Sequence, residues 1–259
     1  FLMRGTPLHH VSGRIREGQV VIGRRSDSDP FGFPVHAARF VPAPPGFALE
    51  TGLRDLLDWM RADHRESIDP LVAAAMSHYQ FETLHPFRDG NGRLGRFLIV
   101  VHLQLARVLS EPTLTVSPWF EARRTDYYDR LLGVSTRGDW NSYIRFFANG
   151  IQSAADQTRN QMVGLVAVQG ELKDRVRAST LRADSAHSLV DLAVANPSFT
   201  VRKVQAELSL SYGRANRLVG QLVEIAVLQS VDPDAYNRRF FAPRVLDVLT
   251  GGEDSTAQG

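Results

Sequence analysis

The chain has 259 residues, 43% of them apolar, with no cysteine and a formal net charge of +2. That length supports a sizeable core and two domains. The missing cysteines exclude disulfides and thiolate metal sites and fit a reducing cytoplasm. No apolar run reaches membrane-spanning length, nothing reads as a signal peptide, and so small a net charge does not announce nucleic-acid binding.

Val20-Val21-Ile22 and Ala38-Arg39-Phe40-Val41 read as short strands around a Gly/Asp/Ser/Pro-rich stretch, so residues 19–41 are expected to form a β-hairpin. Val41-Pro42-Ala43-Pro44-Pro45 is a stiff connector. A helix is expected over residues 50–61, with Leu53, Leu56, Leu57 and Met60 on one face, and residues 70–84, poor in β-branched side chains, read as another.

The most informative segment follows: His85-Pro86-Phe87-Arg88-Asp89-Gly90-Asn91-Gly92-Arg93-Leu94-Gly95-Arg96. Leu94, Phe97, Leu98, Val101, Leu105 and Val108 recur at helical spacing. Ile99 and Val100 are apolar as well, which predicts a central, buried helix. Arg93 and Arg96 lie in its first turn, at the positive end of the helix dipole, which costs about 0.3–1 kcal/mol per charge. A bound anion repairs that, sharing its charge between free backbone N–H groups and both guanidiniums. Gly90 and Gly92 let the backbone come close to phosphate oxygens. An imidazole such as His85 can take a proton at neutral pH and activate a hydroxyl. Asp89 is a hard oxygen ligand suited to a magnesium ion that already carries phosphates and water. Phe87 is expected to point inward and pin the loop, while Asn91 bonds either a phosphate or the loop itself. Asp-Gly-Asn-Gly alone is also ordinary turn chemistry. Residues 90–95 match G-x-G-x-x-G, but the dinucleotide reading needs a hydrophobic strand in front, where a helix is expected. A calcium loop lacks its alternating acids and closing Glu.

Further helices are expected over residues 126–132 and 140–169. Tyr127 and Tyr128 read as aromatics at the core edge, Trp140, Tyr143, Ile144 and Phe147 as packing, and Asn141 as a minor site candidate. After about residue 172 the character changes. Helices at 188–196, 200–208 and 211–221 precede a hairpin of 227–231 and 239–242 joined through a Pro-Asp turn. The third helix turns Ala215, Leu218, Val219 and Leu222 inward and Arg214 and Arg217 outward. Three helices and a hairpin look like a winged helix-turn-helix domain. In such a module Arg214, Asn216 and Arg217 are the candidates to face a DNA groove, and a protein-contact or dimerisation role is the alternative.

Residues 85–96 resemble the signature of the Fic (Fido) family, H-P-F-x-[DE]-G-N-G-R-x-x-R, at every specified position. Asp69-Pro70-Leu71, His78-Tyr79-Gln80-Phe81-Glu82, Tyr127-Tyr128 and Trp140-Asn141-Ser142-Tyr143-Ile144-Arg145-Phe146-Phe147 extend the likeness over about residues 8–155. The expected fold is mainly α: a Fic-type helical core with a small β-hairpin flap in residues 1–172, then the winged helix-turn-helix domain and a disordered tail in residues 173–259. The resemblance covers the Fic-type core alone, the winged helix-turn-helix domain being read from its own helices and hairpin, and it implies transfer of AMP from ATP, with Mg2+, to a Ser, Thr or Tyr hydroxyl of a target protein.

By motif position His85 is then the general base and Asp89 the magnesium ligand. Gly90, Asn91 and Gly92 form the anion hole, Arg93 holds the phosphates, and Phe87 and Arg88 complete the phosphate-binding loop. Arg96 meets the γ-phosphate or an inhibitory glutamate. The flap aligns the target by edge-strand pairing, and Tyr127 or Tyr128 bounds the adenine. Gly92 separates the chain from the Doc-like branch, where a lysine replaces that glycine and phosphate is moved. The inhibitory helix of such proteins carries [ST]-x-x-x-E-[GN], which has no match in these 259 residues. It is expected upstream of Phe1, with a partner chain, or its loss from this member, as the alternatives. Three functions stay open: AMP transfer, AMP removal by the same site, and a DNA-binding regulator whose core senses nucleotide; for any of them a homodimer is a possible state.

Overall fold

The computed structural model describes residues 13–24, 33–181, 184–231 and 238–251. Cα packing separates two units, one ending at Asp156 and the other beginning at Gln157.

In the first unit, β1 (Ile22–Arg24) pairs antiparallel with β2 (Ala38–Phe40), Ile22 opposite Phe40 and Arg24 opposite Ala38, with a single helical turn, α1 (Pro34–Ala37), leading into β2. The expected hairpin therefore has its second strand where the sequence places it. Its first strand is shifted towards Gly23 and Arg24, and Val20 and Val21 stand before the pairing. Residues 25–32 of its connection lie outside the described residues.

Helix α2 (Phe47–Arg61) buries Leu49, Leu56 and Met60. Helix α3 (Pro70–Leu84) starts cleanly because the Asp69 side chain accepts from the Leu71 and Val72 amides, at 2.8 and 3.4 Å, and Pro70 needs no donor there. Buried residues fall on every side of α3, including Ser77, His78 and Glu82, so α3 is the central helix. It packs between α2 and α4 (Asn91–Leu105).

The inward face of α4 differs from the one its apolar spacing suggests. Asn91, Gly95, Ile99, Val100, His102 and Leu103 are buried, whereas Phe97, Leu105 and Val108 are more than half exposed. Gly95 decides the orientation. A Cβ there would lie 3.2 Å from both His78 and Phe81 on α3 and would overlap the Glu82 carboxylate, so only a glycine lets the two helices meet this closely. Helix α5 (Ser117–Ala122), not anticipated from the sequence, α6 (Arg124–Arg137) and the first turns of α7 (Trp140–Ala178) close the unit. Their Phe120, Tyr127, Val134, Tyr143 and Phe147 share one core with Ala74, Ala75, Ile99 and Leu103. Tyr143 and Phe147 are fully buried, the packing role expected of them.

The second unit takes the rest of α7. Val168, Leu172 and Val176 are buried in its core, and for that reason the division falls sixteen residues before the composition change near 172. Helices α8 (Asp184–Ala195), α9 (Val201–Glu207) and α10 (Tyr212–Glu224) pack with a sheet of order β3-β5-β4, antiparallel throughout: β3 (Phe199–Thr200), β4 (Gln229–Ser230) and β5 (Arg239–Phe241). Thr200 and Ser211 cap α9 and α10 with their hydroxyls. Ala215, Leu218, Val219 and Leu222 face inward as the spacing predicts. The third strand, β3, and a last helix, α11 (Pro243–Thr250), add to the expected elements. The Pro-Asp turn and the tail after Gly251 lie outside the described residues.

Candidate active site

The site is built where α3 ends and α4 begins. His85 terminates α3 in the left-handed region (φ 47°, ψ 58°), its amide donating to the Phe81 carbonyl. That conformation costs a non-glycine residue about 1–2 kcal/mol, and strain of this kind persists only where the surroundings enforce it. Arg16, 5% exposed, does so. Its side chain donates to the carbonyls of His85 (2.8 Å), Leu84 (3.2 Å), Gly18 (3.1 Å) and Ala43, and its backbone amide donates to the Pro86 carbonyl at 2.9 Å. One cation thus satisfies the orphan carbonyls of a helix C-terminus and complements its dipole. Nothing in the spacing of the sequence marks Arg16 for this work.

From His85 the loop runs over a strut. Asn91, 2% exposed, accepts from the Phe87 amide at 2.9 Å and donates to the Phe87 carbonyl at 2.7 Å. Of its two expected roles, Asn91 therefore holds the loop. Phe87 packs inward against the core containing Phe81 and Leu84. Gly90 (φ 83°) is the N-cap of α4, Asp89 accepts from its amide at 2.6 Å, and among the described residues no side chain caps the helix. The start of α4 thus offers amides to an anion.

The two arginines of the motif stand apart in environment. Arg93 is half exposed, with Nη2 3.5 Å from Asp89 Oδ2. The Arg96 side chain, 12% exposed, donates from Nε to the Ser117 hydroxyl at 3.1 Å and lies 2.9 Å from Glu121 on α5. Gly92 keeps this corner open, since a Cβ there would sit 3.3 Å from Arg96 Nη1. Ser117 and Glu121 are four apart, as in the inhibitory pattern, but Ala122 stands where that pattern has Gly or Asn.

The His85 imidazole is mostly buried, and burial pushes its pKa down to about 4, opposed in part by the Glu82 backbone carbonyl. The ring is neutral at physiological pH, the state a base requires. Its Nδ1 lies 3.7 Å from Glu82 Oε2. Burial raises the Glu82 carboxyl to about 7, with the Arg96 charge opposing, and holds the fully buried His78 down at about 4.

Among the described residues no three carboxylates or imidazoles cluster to cage a metal. Asp89, half exposed at the mouth of the loop, fits the role of a single protein ligand to an ion whose other ligands are phosphate oxygens and water.

The two tyrosine candidates separate. Tyr127 is 4% exposed, its hydroxyl 2.7 Å from His78 Nε2, so it belongs to the core and cannot bound a ligand. Tyr128 lines an open cleft with Arg24 and Phe40 of the hairpin, Tyr79 and Thr83 of α3, and Leu131 of α6. An Arg39–Asp129 ion pair ties the hairpin to α6 beside it. Asn141 is exposed and outside this lining. In the second unit Arg214 and Arg217 are exposed on α10, and Asn216 is half-buried and accepts from Arg238 at 3.3 Å.

Residues 7–103 match the Fic/DOC family model. It is 33% identical over 137 residues to protein adenylyltransferase fic-1 of Caenorhabditis elegans, covering 53% of this chain and 22% of that one. To protein adenylyltransferase Fic of Nematostella vectensis it is 33% identical over 145 residues, covering 56% and 29%. The chain thus spans less than a third of the length of the curated relatives it matches. A Fic family protein from Desulfovibrio desulfuricans G20, known from its crystal structure, aligns with 93% of this chain and 65% of its own at 25% identity, with a TM-score of 0.44.

Proposed function

We propose that the first unit transfers AMP from ATP to a hydroxyl side chain (Ser, Thr or Tyr) of a target protein. The observation that carries this reading is the neutral imidazole of His85 beside a helix start that offers amides and two guanidiniums to a polyphosphate. His85 takes the proton of the attacking hydroxyl. The freed oxygen bonds to the α-phosphorus, the bond from that phosphorus to the bridging oxygen breaks, and pyrophosphate leaves with the charge. Asp89 would hold a magnesium ion, which supplies charge neutralisation to the phosphates when bound. Arg93 and the amides at Gly90 to Gly92 hold the phosphates in line. The cleft lined by Tyr128 takes the adenine, and the β1–β2 hairpin offers its edge to an extended segment of the target. Glycine at 92 favours nucleotidyl over phosphoryl transfer.

The test is incubation with α-labelled ATP, magnesium and a cell lysate beside His85→Ala. Label should pass to protein with the unaltered chain and not with the variant. Equal labelling by both would end the reading.

The second unit is proposed as a winged helix whose α10 presents Arg214 and Arg217. Salt-dependent binding of duplex DNA lost on replacing both with alanine would support a regulator built on a nucleotide-handling core. No helix among the described residues is long and apolar enough to cross a membrane.

A further inference from the structure

We propose that Glu82 is a positioning residue for His85: its carboxyl receives the Nδ1–H of the imidazole, which fixes Nε2 as the atom that accepts the hydroxyl proton. The inference rests on the reading of His85 as the base for AMP transfer.

Its ground is geometric. Glu82 and His85 stand three residues apart on the last turn of α3, and the left-handed turn at His85 folds the ring back over that turn. Nδ1 and Oε2 are 3.7 Å apart. Among the described residues neither Nδ1 of His85 nor the second carboxyl oxygen of Glu82 has a hydrogen-bond partner, although both are buried. A buried ring N–H without a partner is costly, and Oε2 is the carboxyl oxygen placed to receive it, while Oε1 is turned towards Gly95. Closing the gap by less than about 1 Å gives a hydrogen bond, and catalytic contacts commonly tighten once the reacting complex forms. Arg96 is near enough to act on the carboxyl, but its guanidinium is engaged by Ser117 and Glu121, so Glu82 is not the acid of an ion pair there. Gly95 completes the case, because the absence of a Cβ at that position is what leaves room for the carboxyl.

The proton count closes. In the resting pair Nδ1 carries the ring's one proton. When the hydroxyl O–H bond breaks, its proton goes to Nε2, and the imidazolium formed is stabilised through Nδ1–H by the ionised carboxylate. The oxygen bonds to phosphorus, pyrophosphate departs, and the Nε2 proton returns to solvent. A carboxyl raised to about 7 by burial is ionised only above that pH, so the pair works best on the alkaline side of neutrality. The groups facing it are His78 on the same helix, Arg16 before the hairpin, Asp89 in the loop, Arg96 on α4, Tyr127 on α6 and Tyr143 on α7.

The experiment uses the full chain, with Glu82→Gln and Glu82→Met beside the unaltered protein. Ring-nitrogen NMR after histidine-selective 15N labelling reads the tautomer of His85. Initial rates of label transfer from α-labelled ATP to lysate protein, at varied ATP and pH, read the chemistry. Expected are a protonated Nδ1 with a bare Nε2, and a rate that climbs through pH about 7. Both variants should lose that limb and show a mixed tautomer, with kcat lower by about tenfold or more at unchanged KM for ATP. A protonated Nε2 in the unaltered protein, or variants that keep both rate and limb, would overturn the proposal. If no protein is labelled at all, AMP transfer is the reading that falls, and the ring-nitrogen shifts alone decide Glu82.

Discussion

Gly95→Ala tests the helix contact on which the site is mounted. Helix propensity alone favours alanine at an interior position by about 1 kcal/mol. The structure opposes it: the new methyl would stand 3.2 Å from His78 and from Phe81 and overlap the Glu82 carboxylate, all three on a buried helix that cannot move outward. Overpacking of this kind costs about 1–3 kcal/mol, and three simultaneous contacts place it at the upper end. The net loss is about 2 kcal/mol, and the unfolding transition of the first unit should fall by about 4–8 °C in scanning calorimetry. Gly92→Ala is the control. Its methyl would meet only the end of the Arg96 side chain, which can swing, so stability should hold within about 0.5 kcal/mol while label transfer declines. A Gly95→Ala protein as stable as the unaltered chain would refute the claim that close approach of α3 and α4 selects glycine.

Arg16→Met removes the donors to the carbonyls of Leu84, His85 and Ala43. At about 1–3 kcal/mol for each buried acceptor left unpaired, urea unfolding should show a loss of at least about 3 kcal/mol, and a loss below about 1 kcal/mol would show that the clamp is dispensable. Glu121→Ala frees Arg96 and should lower the KM for ATP, whereas Arg96→Ala should raise it; a rise in both would mean that Glu121 aims Arg96 rather than competing for it. Stability against pH checks the buried carboxyl. Glu82 is raised from 4.5 to about 7, so between those values the folded protein keeps a proton that the unfolded chain has released, and stability falls as pH rises. His78 and His85, lowered from 6.5 to about 4, contribute the opposite slope over that lower range. Glu82→Gln should therefore gain stability relative to the unaltered protein from pH 4.5 to 8, by up to about 3 kcal/mol, and a difference that does not vary with pH would contradict the burial argument.

What the sequence reveals and what it withholds have separate physical causes. Signals carried by near neighbours are legible: the helix over residues 70–84, the glycine turn into α4, and the inward stripe of α10 all depend on residues within one or two turns. The apolar faces of α4 are not, because both sides of that helix are greasy and periodicity cannot choose between them. The choice comes from Gly95 meeting α3, a contact between helices. Tyr127 and Tyr128 are adjacent and chemically alike, yet one hydroxyl is held by His78 and the other side chain faces the cleft. Arg16 and Glu121 act on residues 69 and 25 positions away, distances at which no local pattern speaks.

The arginines of the motif show how such distant residues complete a local argument. Two cations at a helix N-terminus are unfavourable by themselves, and the sequence points to an anion as the remedy. In the structure that remedy is supplied by carboxylates: Asp89 beside Arg93 and Glu121 beside Arg96. Each carboxylate is about half exposed, so each pair is weakly held and can be exchanged. A triphosphate carries more charge than the two acids together and reaches the helix amides as well, which favours it in the exchange. Asp89 would then be the residue to hold a magnesium ion, which would supply charge neutralisation to the phosphates. If the first unit transfers AMP as proposed, binding and assembly of the site are one event, and Glu121→Ala should lower the ATP needed to bring it about.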